Sequence, residues 1–288
     1  QGYKEQKVFK PLVTAFSFTD TGKLASITLA FLAFSIAASA TYIANDLWDL
    51  ENDRAHPRKR LRPFACARIP ILSGLAVATV ALLIACALAL SVSKGFFLIL
   101  LLYLVLTSAY SWFLKRFVVI DVVTLSMLYT LRILAGSVAI KVVTSSWLLA
   151  FSVFIFLSLA LVKRCAELVS VKESGALETK GRDYRVTDLV VLWPLGVGAA
   201  ISAVVVFGLF ISDPNTQARY RTPQMLWLVA LGLIYWLARL WIKTSRGEMH
   251  DDPVVYAIKD RGSRMTVFAM VLVILAAHFL SFGFPQNN

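Results

Sequence analysis

Eight stretches of about twenty residues, each nearly free of charge, constrain this chain more than any motif does. They run Leu24–Ile43, Ile69–Ser93, Phe96–Leu114, Phe117–Ile140, Trp147–Val162, Thr187–Ile211, Met225–Ile242 and Met265–Phe284. A helix needs roughly 20 mainly apolar residues to cross a bilayer. A ninth candidate, Tyr3–Phe18, is shorter and carries lysines at its start. It reads as a span rather than a cleaved leader, because no small-residue cleavage site follows it. The expectation is an all-α, polytopic transmembrane bundle of nine helices, forming one domain over 1–288. Composition agrees: 58% of the 288 residues are hydrophobic, against roughly 45–50% in a soluble domain. The first residue is Gln rather than Met, which leaves room for an upstream segment or domain.

The net charge of +12 raises the question of nucleic acid, but membrane topology accounts for it. Threading nine helices puts most basic residues on one side. Of the 29 lysines and arginines, Lys23, Lys94, Lys141, Arg219 and Arg221 alone fall on the other side, with Arg132 and Arg239 inside helices. Loops rich in lysine and arginine stay cytoplasmic. The crowded side is therefore read as the cytoplasmic face of an inner membrane. All the acids except Asp20, Asp121 and Asp213 crowd the same side. Topology makes little demand on acids, so a polar site is expected there. Three long polar loops supply it: Asn45–Arg68, Lys163–Val186 and Lys243–Arg264. The three cysteines, Cys66, Cys86 and Cys165, have no metal spacing and read as buried structural thiols.

The first loop carries "NDLWDLENDRAHPRKRLRP", Asn45 to Pro63. Asp46, Asp49 and Asp53 are spaced by three and four, which aligns them on one helix face. Three like charges at the end of a membrane helix need an offset. Mg2+ suits them, a hard cation that takes carboxylate oxygens and shares its shell with phosphates. The cations that follow, among them Arg58, Lys59 and Arg62, fit phosphate oxygens. A solvated helix cap followed by a cationic anchor is the bland alternative. Acids at that depth are costly unless they line a polar cavity, which favours the site.

These residues resemble the first aspartate-rich motif of the UbiA superfamily of intramembrane prenyltransferases. "AYSWFLKRFVVIDVVTLSMLYTLRILAG" (Ala109–Gly136) is similar to that superfamily as well. The resemblance implies a UbiA-like bundle, Mg2+, a bound diphosphate and a groove for an isoprenoid tail. Aromatic-acceptor members show a second Asp-x-x-x-Asp cluster after the sixth helix. Here "LVKRCAELVSVKESGALETKGRDYRVTDL" (Leu161–Leu189) places Asp183 and Asp188 five apart, among more cations than acids. That pattern resembles the decaprenyl-phosphate phosphoribosyltransferase branch. The resemblance implies transfer of 5-phosphoribose from phosphoribosyl pyrophosphate to a polyprenyl phosphate, releasing pyrophosphate.

On that reading Asp46, Asp49 and Asp53 hold the metal and Asn45 orients the cluster. Lys4, Arg58, Lys59, Arg62, Lys163 and Arg164 contact phosphates, and Tyr110, Lys115 and Tyr184 reach substrate. For Lys4, Lys163 and Arg164 the residues alone leave a membrane anchor equally open. His56 reads as support rather than as a base, since a lipid phosphate is already an anion. Asp121 and Arg132 are expected to pair with each other or with backbone. His250, Asp251 and Asp252 read as a loop cap, because Asp before Pro favours a turn or helix start. Two rivals remain. One is prenyl transfer from a polyprenyl diphosphate to an aromatic or lipid acceptor. The other is a transporter of anionic lipid or metabolite, disfavoured because Pro194 alone interrupts a helix core.

Overall fold

The structure, a computed structural model, describes residues 21–55, 59–179, 181–249 and 252–280. Eight helices among them are long and apolar enough to cross a membrane. They are α1 (Thr21–Trp48), α2 (Ile71–Val92), α3 (Lys94–Trp112), α4 (Ile120–Ala139), α5 (Ser146–Glu173), α6 (Leu189–Ser212), α7 (Leu226–Ser245) and α8 (Arg261–Phe279). Each answers one of the eight apolar stretches. The ninth candidate, Tyr3–Phe18, lies outside the described residues. Three short helices, Leu50–Ala55, Pro214–Gln217 and Pro253–Lys259, sit in polar loops, and the described residues contain no strand. The outward side chains suit lipid: Leu72, Val190 and Phe31 are 79, 78 and 69% exposed, a cost in water but not in hydrocarbon.

The chain separates into two compact units. The first comprises residues to Leu114 together with Leu131–Val143; the second comprises Lys115–Thr130 and the chain from Thr144 onward. In the first, α1 lies along α2 and also meets α3. Ala30, Ala33, Ala37 and Ala40 are buried on one stripe of α1, with Ala78, Ala85 and Ala89 buried on α2. Small residues let membrane helices approach closely enough for dispersion to hold them. Phe34 of α1 sets its ring edgewise against Phe96 and Tyr103 of α3, at 5.7 and 5.0 Å.

In the second unit α5 lies along α6, and α7 packs on both. Gly196 of α6 makes that approach possible. A Cβ there would stand 2.1 Å from the Trp241 ring of α7. The gap lets Trp241 Nε1 donate to Ser158 Oγ at 3.1 Å, while that hydroxyl donates to the Gly196 carbonyl at 3.0 Å. One indole and one hydroxyl thus tie three helices without leaving a buried donor idle.

The apolar stretches mark the spans but misplace some ends. Trp147–Val162 was expected to stop before Lys163 and Arg164, whereas α5 runs on to Glu173. The reason is tertiary: the Arg164 charge is neutralised inside the fold by Asp121 of α4, so it does not end the helix. Gly175 then closes α5, taking φ +78° while Ala176 N–H reaches back to the Val171 carbonyl. Two other expectations need correction. Cys66 is exposed and Cys86 only half-buried, so Cys165 alone is a buried thiol. Asp121 and Arg132 do not pair. Arg132 donates to Tyr103 Oη at 2.7 Å and lies over that ring, while Asp121 meets other arginines.

Candidate active site

The acid motif keeps its helical register past the end of α1. Asp49 N–H bonds the Asn45 carbonyl at 2.9 Å, and Asp53 N–H bonds the Asp49 carbonyl at 2.8 Å. These bonds carry one face from α1 into Leu50–Ala55, and Asp46, Asp49 and Asp53 follow it. Asn45 Nδ2 donates to Asp49 Oδ2 at 3.4 Å. Arg62 arrives from the basic loop. Its Nη1 lies 2.8 Å from Asp46 Oδ1 and 2.7 Å from Asp53 Oδ2. A single nitrogen therefore serves two carboxylates, one of them on a residue 2% exposed.

The loop that delivers Arg62 is pinned by Phe64. That side chain is buried, and its ring fills the space beside Gly74 of α2, where a Cβ would stand 2.5 Å from it. A larger residue at position 74 would push the loop, and Arg62 with it. Below the acid cluster the first unit holds an apolar cavity of about 670 Å3 between α1, α2 and α3. Trp112 lines it and stacks on Trp48, the residue before Asp49, with ring centroids 5.5 Å apart.

Arginine and acid also meet in the second unit, in a different setting. Arg164 of α5 is 1% exposed and Asp121 of α4 is fully buried. Arg164 Nη2 lies 2.8 Å from Asp121 Oδ2, and its Nη1 meets Glu167 one turn on. Arg182 reaches the same two acids from the loop, at 3.5 and 3.3 Å. Tyr184, also buried, donates to Asp121 Oδ1 at 3.4 Å and accepts the Val119 N–H at 3.0 Å. That last bond matters because Val119 has φ +68°, a strained setting for a β-branched residue. Burial, and secondarily the Asp121 charge, push the Tyr184 hydroxyl up to about 12, so it stays a donor.

These contacts place the expected site residues. Asn45, Asp46, Asp49, Asp53 and Arg62 come together in the first unit. Tyr110 is half-buried on α3, and Lys115 is half-buried in the turn Leu114–Arg116. Lys4, Arg58, His56, His250 and Asp251, and the side chain of Lys59, lie outside the described residues. Lys163 is half-exposed and pairs with Asp252 at 2.7 Å. Asp252 precedes the helix Pro253–Lys259, as the Asp-Pro step implied. Arg164 and Tyr184, expected to touch substrate, face Asp121 from buried positions. Asp121 was expected beside Arg132 or backbone, and Glu167 and Arg182 carried no expected role. The signal was present, since an acid in an apolar stretch requires a cationic partner, but the partner lies far along the chain.

The acids fit a hard divalent cation in part. Among the described residues no three acid, histidine or cysteine side chains converge on one point. Asp46 and Asp53 do share one positive centre. Mg2+ asks for no more than one or two carboxylates when substrate phosphates complete its shell. The side chains Asp183 and Asp188 form no second cluster. The Asp188 carboxylate accepts the Arg185 N–H at 2.9 Å and caps the turn it belongs to.

Comparison with known proteins adds to this geometry. A family model described as the UbiA prenyltransferase family matches residues 10–272. A Sinorhizobium fredii protein called uncharacterized protein y4nM is 39% identical over 91% of this chain, which spans 51% of that protein's length. The nodulation protein NoeC of Azorhizobium caulinodans is 33% identical, over 86% of this chain and 81% of its own. The decaprenyl-phosphate phosphoribosyltransferase of Mycobacterium tuberculosis is 30% identical, over 90% of this chain and 83% of its own. Among solved structures, a UbiA homologue from Archaeoglobus fulgidus bound to GPP and Mg2+ superposes with a TM-score of 0.65. It covers 92% of this chain and 94% of its own at 17% identity.

Proposed function

The chain belongs to the UbiA prenyltransferase family, and on that footing we propose that it transfers 5-phosphoribose from phosphoribosyl pyrophosphate to a polyprenyl phosphate. A lipid phosphate oxygen bonds to the anomeric carbon as the bond from that carbon to pyrophosphate breaks, and pyrophosphate leaves. The reaction takes place at the cytoplasmic face of the membrane. The observation that carries this reading is the unequal use of acids. One polar loop directs Asp46 and Asp53 at a single cation. Near the second polar loop, Glu167 on α5 and Asp188 in the turn before α6 are spent on arginine and on a turn. One acid cluster with many cations suits a donor and an acceptor that both carry phosphate. Relatives named decaprenyl-phosphate phosphoribosyltransferase, at 30% identity over most of their length, support the same choice.

Asp46, Asp49 and Asp53 would hold Mg2+, which supplies charge neutralisation at the leaving pyrophosphate. Asn45 orients Asp49 through its amide. Arg58, Lys59, Arg62 and Lys163 bind phosphate oxygens, with Lys4, Tyr110 and Lys115 as further contacts. Cations held in place neutralise the charge that grows on the departing group. The acceptor phosphate is already ionised, so no side chain need remove a proton. Arg164 and Tyr184 act from behind, through Asp121, by holding the loop that carries Arg182.

The test uses purified chain, Mg2+, labelled phosphoribosyl pyrophosphate and a polyprenyl phosphate, followed by lipid extraction. Label should enter the organic phase. Label remaining in water, while a prenyl diphosphate is consumed in a parallel tube, moves the reading to prenyl transfer.

A further inference from the structure

Arg62 occupies an unusual position. Its Nη1 is within 2.8 Å of two carboxylate oxygens that belong to residues two helical turns apart. The Asp53 side chain is 3% exposed while that of Arg62 is 38% exposed. The acid is thus fixed, and its cation sits at the open side. Phe64 anchors the loop two residues further on, so Arg62 can swing out by its own χ angles without unseating the backbone.

We propose that Arg62 is an internal stand-in for the divalent cation: it neutralises Asp46 and Asp53 until metal arrives, then turns outward to take a phosphate oxygen of the incoming donor. This rests on the metal reading given under the proposed function. Two positive centres cannot share the same pair of carboxylate oxygens without strong repulsion, so metal entry and Arg62 departure are one event. The freed guanidinium has five donors and no acceptor of its own. A pyrophosphate is the group it is suited to bind, in a two-pronged manner. Metal and phosphate binding become coupled through one side chain, and the acid cluster is never left bare.

The test is Mn2+ binding to the full chain in detergent, without substrate, read by the electron paramagnetic resonance of free Mn2+ and by thermal melting. Arg62→Gln removes the competitor. It should bind Mn2+ about three- to tenfold more tightly than the unaltered chain. Its melting temperature should be lower without metal and should rise further on adding Mn2+. Arg62→Lys keeps a charge that reaches one carboxylate at a time, so its affinity should fall between the two. This second variant serves if the glutamine form does not fold. Equal or weaker Mn2+ binding in both variants, with the unaltered chain still binding, overturns the stand-in role and leaves the metal site intact. If the unaltered chain binds no Mn2+, or if Asp46→Asn binds as well as it does, the metal reading itself fails and takes this inference with it.

Discussion

In the first unit an arginine whose side chain is 38% exposed serves Asp46 and Asp53; in the second, one that is 1% exposed serves Asp121 and Glu167. The residue types are the same and the surroundings differ. Arg62 can leave its acids for water or a ligand. Arg164 cannot, because both guanidinium and carboxylate are shut off from solvent. The buried pair is also imperfect: Arg164 Nε and Nη2 and Asp121 Oδ2 lie buried without a hydrogen bond, although the charges are 2.8 Å apart. Buried charges so held contribute little net stability as a pair, yet each is very costly without the other. Exposure therefore separates a cluster that can exchange ligands from one that fixes a loop.

The strongest attempt to break this contrast is Arg164→Met. It takes the nearest cation from buried Asp121, leaving only Arg182 at 3.5 Å and the Tyr184 hydroxyl, with an expected loss of about 3–5 kcal/mol, read as a fall in melting temperature or in recovered protein. Adding Asp121→Leu should restore most of it, since an apolar pair of similar size is then buried. If Arg164→Met melts normally but loses turnover, Arg164 belongs to the substrate after all. Next comes Asp49→Ala in the first unit, where the balance reverses. Turnover should drop about 100-fold or more, with the melting temperature changed by no more than about 3 °C. A large stability loss there would make the acid face structural.

Tyr184→Phe sharpens the second cluster at lower cost. It removes the acceptor of the Val119 N–H, 3.0 Å away, and the donor to Asp121. Leaving that amide unmet should cost about 1–2 kcal/mol. Turnover per folded molecule should change little. A large loss of turnover without loss of stability would return Tyr184 to the substrate contacts.

The two clusters were not equally legible in the sequence. The acid face was, because Asp46, Asp49 and Asp53 sit within eight residues and helical spacing decides which of them align. Its cation was only half legible: Arg62 was picked out as one basic residue among several, for phosphate, and nothing in the spacing says that it turns back on Asp46 and Asp53. The buried cluster was not legible as a unit. Asp121 and Arg164 are separated by most of two spans and the turn between them, and no local rule pairs them. Read locally, Arg164 looked like the end of an apolar stretch, and that misplaced the end of α5. The spans themselves were plain, since bilayer thickness imposes its length on any sequence. Their ends were not, because an end depends on whether a charge finds a partner.

Arg239 and Asp260 form a third pairing, of intermediate exposure, and give the smallest of these effects. Their side chains are 29 and 16% exposed, and Arg239 Nη2 lies 3.1 Å from Asp260 Oδ1. Asp260 also caps α8, accepting the Ser263 N–H at 2.7 Å. The bond from Arg239 is the main cause holding the Asp260 carboxyl down to about 2, from an ordinary 3.8. A carboxyl lowered by folding adds stability that is complete above its unfolded value and is lost as pH falls through the folded one. The window therefore runs from about 4 down to about 2. Asp260→Asn keeps a capping oxygen and loses the charge, at an expected cost on the order of 1 kcal/mol at neutral pH. Melting the two proteins side by side should show that gap at pH 6 and a much smaller one at pH 2. A gap unchanged at pH 2 would mean that the Arg239 pairing contributes nothing, and that stability at this helix end rests on the cap alone.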